Sequence, residues 1–151
     1  MTNWQHLCIW LVASLLIASA SLERASAGQK PPLQLCEALA DAANYAGKTI
    51  VVKGAYMRVF HGAILSAPGC KSVERPEANL SMSPAFHGKR RDLSLMNKLA
   101  SKGEVVHVVM VGTLRVAKVG HCFGQTCEPY EIEADELLRA YSGKGAPGKG
   151  K

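Results

Sequence analysis

The sequence predicts a mainly β protein with α segments: a five-stranded barrel with an N-terminal helix and a helix between strands 3 and 4. Three observations predict it. Thr49 to Phe60 and Glu104 to Val116 are rich in β-branched residues and alternate with the two-residue period of strands. The alternation in the first of these runs changes phase at Gly54, as a strand does when it bends at a bulge. Ala- and Leu-rich stretches precede the first run and the second, each with helical spacing and a glycine stop.

In chain order, Leu33 to Tyr45 places Leu35, Ala38, Leu39 and Ala42 on one helical face, and Gly47 ends it. Thr49 to Phe60 follows as the first strand. Ile50 and Val52 set its inward face before Gly54; Ala55, Met57 and Val59 set it afterwards. A bulge at Gly54 is expected to keep both sets on one side. His61-Gly62 makes a turn, and Ala63 to Ala67 returns as the second strand, ended by Pro68-Gly69. Ala78 to Ser83 is the third. Asp92 or Ser94 caps a helix through Ser101, with Leu95, Leu99 and Met96 turned inward. Glu104 to Val116 is apolar on both faces as far as Val111, so it belongs in the centre of the sheet. Tyr130 to Ala134 alternates with Glu131 and Glu133 outward. Asp135 to Tyr141 is expected to be a last helical turn or two, and Ser142 to Lys151 a flexible basic tail.

The first 27 residues have the pattern of a signal peptide. Leu7 to Ala20 carries no charge and is shorter than a membrane span, and Ala25-Ser26-Ala27 supplies small residues for cleavage. This leaves residues 28–141 as the folded domain, without a membrane anchor after cleavage, in the periplasm or outside the cell. Of five cysteines, Cys8 lies in the leader; Cys36, Cys70, Cys122 and Cys127 remain. An even number in a small exported domain reads as disulfides. Three pairings are possible, and Cys36–Cys70 with Cys122–Cys127 is preferred. The first closes a loop worth about 3–4 kcal/mol in the chain-entropy picture, the second a short one worth about 2 kcal/mol.

The element order strand-strand-strand-helix-strand-strand is that of an OB-fold. The segments LCEALADAANYAGKTIVVKGAY, GAILSAPGC and VVHVVMVGTLRV together resemble the small exported OB-like proteins of bacteria, over roughly residues 33 to 134. The resemblance implies a small curved barrel and assigns no reaction.

Motifs for catalysis are missing from the sequence. It contains no G-x-S-x-G, P-loop, G-x-G-x-x-G or H-E-x-x-H, and nothing in it calls for a cofactor or a metal. What remains is charge: 18 Lys and Arg against 12 Asp and Glu, a net +6. Lys89, Arg90 and Arg91 are consecutive, with Lys144, Lys149 and Lys151 along the tail. They form a candidate anion-binding segment, and Tyr56, Phe60, Phe86 and Phe123 are candidate stacking residues. The reading that follows is a non-catalytic exported module. Its partner is an envelope protein or an anionic polymer, a glycan or a nucleic acid. The alternative is an exported hydrolase or thiol redox protein with a site near His121, Cys122 and Cys127, which requires a free thiol.

Overall fold

The computed structural model describes residues 31–60, 62–124 and 127–143. The expected signal peptide, His61 of the first turn and the tail lysines therefore lie outside the described residues. The elements in order are β1 (Leu33–Gln34), α1 (Leu35–Ala40), α2 (Ala42–Tyr45), β2 (Thr49–Val59), β3 (Gly62–Ser66), β4 (Glu77–Gly88), α3 (Arg90–Ala100), β5 (Val106–Val116) and β6 (Tyr130–Ser142).

The fold is mostly β with few helices. Its strands form one mixed sheet in the order β1-β2-β3-β4-β6-β5, and β2 pairs again with β5, so the sheet curls into a partial ring. This departs in two ways from the expected five-stranded barrel. A sixth strand, β1, runs parallel to β2 through Leu33 and Gln34. The parallel β4–β6 seam breaks between Met82 and His87. Pro84 lies in that break, and a proline has no N–H to give a ladder. The result is not a clean barrel.

Four local expectations are corrected. The N-terminal helix opens with a strand and divides at Asp41 into α1 and α2; the Gln34 N–H donates to Glu37 at 3.1 Å and starts α1 there. β4 extends five residues past Ser83, to Gly88. The second helix begins at Arg90, because Asp92 turns its carboxylate to the Ala140 N–H at 3.0 Å instead of capping its own helix. Residues 135–141 are strand, not helix.

Gly54 does not carry a bulge. β2 pairs with β5 without a break from Thr49↔Thr113 to Tyr56↔Val106. Ile50, Val52 and Tyr56 stay on the buried side throughout. The glycine meets a different need: a Cβ there would sit 2.8 Å from Leu65 Cγ, so its absence lets the fully buried Leu65 of β3 lie over the strand.

The bulges are in β6. Val109 faces Arg139 and Met110 faces Leu137, leaving Leu138 extra; Val111 faces Glu136 and Gly112 faces Ala134, leaving Asp135 extra. Each added residue restores the inward phase, and Ile132, Ala134, Leu137 and Ala140 all reach the core. There they meet Val106, Val108, Met110 and Leu114 of β5, Val52 of β2, Met96 of α3 and Leu35 of α1. Met96 is the most deeply placed side chain of α3, with Leu95 and Leu99 packed beside it. Each fully buried aliphatic side chain stabilises the fold by about 1.5–3 kcal/mol.

Two disulfides are present, Cys36–Cys70 and Cys122–Cys127, with Cα atoms 5.6 and 4.7 Å apart. This is the preferred pairing. The first ties α1 to the segment after β3, 34 residues away. The second closes the β5–β6 loop, whose Phe123 and Glu128 exchange backbone hydrogen bonds at 2.8 and 2.9 Å. No helix among the described residues is long and apolar enough to cross a membrane.

Candidate functional site: a basic groove beside a stacked His–Tyr pair

The Leu138 bulge and the Asp92–Ala140 hydrogen bond act together. The extra residue re-aims the end of β6, and the carboxylate pins the first turn of α3 against it. An open groove of about 670 Å³ results, with Lys89, Arg91 and Asp92 on the helix side and Arg139 and Tyr141 on the strand side. Its one carboxylate is engaged with the Ala140 N–H. The ion pairs among the described residues lie elsewhere: His87 with Glu136, and Arg115 with Glu131 and Glu133. Among the described residues the groove therefore presents three cations to solvent against one acid. Cations at a helix N-terminus oppose the helix dipole, so Lys89 and Arg91 gain nothing from their own helix.

The strand pairing extends this charge across the sheet. Lys53 pairs with Val109, which pairs with Arg139; one step along, Ala55 pairs with His107, which pairs with Tyr141. Paired residues project from the same face. The rings of His107 and Tyr141 stack with centroids 5.4 Å apart and planes inclined by 17°. Lys53 Nζ stands 5.8 Å from the Tyr141 ring centroid, a cation–π contact worth about 0.5–1 kcal/mol where exposed.

Of the three consecutive basic residues, the structure places Lys89 and Arg91 on the groove and leaves Arg90 off its lining, exposed. The candidate stacking residues do not assemble. Tyr56 is in the core and Phe86 packs against it; Phe60 is 93% exposed at the end of β2; Phe123 belongs to the disulfide loop. Sequence reasoning missed Lys53, His107, Arg139 and Tyr141 as members of this site. Once β6 is known to be a strand, alternation through Arg139 and Tyr141 finds two of them. The signal was hidden because the bulges disguise the strand.

Glu131 and Glu133 were expected to point to solvent. Glu131 is only 8% exposed; it accepts a hydrogen bond from Asn79 Nδ2 at 3.1 Å and pairs with Arg115 at 3.5 Å, while Glu133 bonds the same guanidinium. β6 lies between β4 and β5, and cross-strand side chains from both, Asn79 and Arg115, engage these carboxylates. At the alternative site, His121, Cys122 and Phe123 line a shallow depression, and both cysteine sulfurs are spent in the cross-link. Among the described residues no three His, Cys, Asp or Glu side chains gather as metal ligands would.

The chain matches no protein-family model, no curated protein and no solved structure.

Proposed function

We propose that this chain is a non-catalytic, exported binding module, an OB-like barrel with a gapped seam, that holds an anionic polymer of the cell envelope in the groove between α3 and β6. One observation carries the reading: Lys89, Arg91 and Arg139 converge on a groove where, among the described residues, the one carboxylate is already hydrogen-bonded within the fold. The net charge of +6 supports attraction of a polyanion at a distance, and two disulfides suit the periplasm or the extracellular space.

The test is titration of the disulfide-bonded protein with a carboxylated polysaccharide over a series of salt concentrations. Affinity is expected to fall linearly on a double-logarithmic salt plot, as counterion release requires. The triple variant Lys89→Ala, Arg91→Ala, Arg139→Ala is expected to bind roughly 10- to 100-fold more weakly at low salt and to flatten that slope. Salt-independent binding, or a triple variant that folds normally and binds as the parent does, overturns the reading.

A further inference from the structure

Beside the groove is a second cleft of about 410 Å³, bounded by Lys53 of β2, His107 of β5, Tyr141 of β6 and the Cys36–Cys70 cross-link. We propose that this cleft is a subsite for one acidic sugar ring of the bound polymer, a uronate unit whose carboxylate meets Lys53 while its ring packs on Tyr141. The proposal rests on the polymer-binding reading above and deepens it.

Four observations lead to it. Tyr141 lines the cleft and the groove alike, so one chain can pass from one to the other over a single side chain. Among the described residues the cleft lining includes a lysine and a histidine and no Asp or Glu, which selects for an anion. The stacked pair is already ordered, so a ring that settles on it freezes few additional rotors. Part of the wall is a covalent link, Cys36–Cys70, between α1 and the segment after β3, which limits how far those two segments can move apart.

The spacing of charge and ring chooses the ligand class. Lys53 Nζ stands 5.8 Å from the Tyr141 centroid, within reach of a carboxylate borne directly on a ring packed against Tyr141. A ligand that stacks on Tyr141 must therefore carry its negative charge on the stacked ring itself. A uronate does, because its carboxylate is attached directly to the pyranose. A nucleotide does not, because the whole sugar separates its phosphate from the base. Nor do the two rings leave a slot for an intercalating base, since they already stack on each other.

The experiment compares an oligogalacturonate, a neutral oligosaccharide of the same length and an oligodeoxythymidylate, each titrated calorimetrically and by NMR against the full disulfide-bonded domain. The oligogalacturonate is expected to bind best of the three and to shift the ring resonances of His107 and Tyr141. Lys53→Gln is expected to weaken it about fivefold and Tyr141→Ala about tenfold or more, with Tyr141→Phe close to the parent. Should Tyr141→Ala fail to fold, Lys53→Gln decides the matter alone. If the uronate binds but Lys53→Gln and Tyr141→Ala leave its affinity unchanged, the subsite is wrong and the groove reading stands. If those variants weaken binding and the Lys89, Arg91, Arg139 triple variant does not, the groove reading fails and the cleft stands. Tighter binding of the oligodeoxythymidylate at equal charge overturns the choice of a sugar.

Discussion

β2 carries a glycine and no bulge; β6 carries two bulges and no glycine. Both are long strands paired on two sides, and both must follow a sheet that curls into a partial ring. β2 manages it by removing a side chain where Leu65 of the neighbouring strand needs the space. β6 manages it by adding residues, Asp135 and Leu138, and the second addition shapes the basic groove. Glycine in a strand thus marks close approach here, while the bulges mark the region where side chains are re-aimed.

The contrast predicts unequal responses to shortening. Deleting Lys53 from β2 leaves no spare residue to absorb the change. Either Ile50 and Val52 or the residues from Tyr56 onward slip to the wrong face, and cooperative unfolding in urea is expected to disappear or to lose about 4 kcal/mol or more. Deleting Leu138 removes the extra residue and leaves Val109↔Arg139 and Met110↔Leu137 as regular neighbours. That variant is expected to fold with a loss of about 1–2 kcal/mol, from the packing of one half-buried leucine. Equal losses in the two deletions would break the comparison.

A smaller effect separates the two kinds of glycine. A Cβ on Gly112 of β5 would fall 2.6 Å from the Glu133 carbonyl oxygen and 3.0 Å from Ala134 Cα, both backbone atoms beside the Asp135 bulge. Backbone cannot step aside without opening the β5–β6 ladder, so Gly112→Ala is expected to cost about 3 kcal/mol. A Cβ on Gly54 meets only the Leu65 side chain, so Gly54→Ala is expected to cost about 1–2 kcal/mol. Leu65→Ala is expected to relieve part of that cost in a double-mutant cycle. If the pair proves additive, Leu65 is not the reason for the glycine.

The same two strands show what was legible in the residues. Val52, Val106, Val108 and Ile132 alternate as strand residues should, and they sit in the core. That the four cysteines form disulfides was legible from their even number, and the fold settles the pairing by bringing Cys36 of α1 and Cys70 after β3 to a Cα separation of 5.6 Å. Residues 135–141 were not legible as strand. Two bulges convert a period of two into a spacing of three, so Ala134, Leu137 and Ala140 read as one helical face although they line a sheet. The site went with them: Arg139 and Tyr141 belong to that disguised stretch, and Lys53 joins them only through cross-strand pairs between residues far apart in sequence, Lys53↔Val109 with Val109↔Arg139, and Ala55↔His107 with His107↔Tyr141. Lys89 and Arg91 were visible because they belong to one run of three basic residues; Lys89, the N-cap, and Arg91 line the groove, and Arg90 does not.

The smallest expected effect tests the phase of β2 directly. With no bulge at Gly54, Tyr56 faces the core, and burial raises its phenol above the ordinary value of 10.0, with nearby Arg58 pulling weakly the other way. A bulge would have turned Tyr56 outward and left it free to ionise. The phenol is neutral when protonated, so above about pH 10 the unfolded chain releases a proton that the fold still holds. The stability Tyr56 contributes is therefore complete below about pH 10 and is lost as pH rises through its folded value. Urea midpoints measured across that interval are expected to fall for the parent protein and to fall less for Tyr56→Phe, which has no proton to release. An identical alkaline decline in both proteins would mean that Tyr56 is not held in the core, and β2 would then have to turn at its glycine after all.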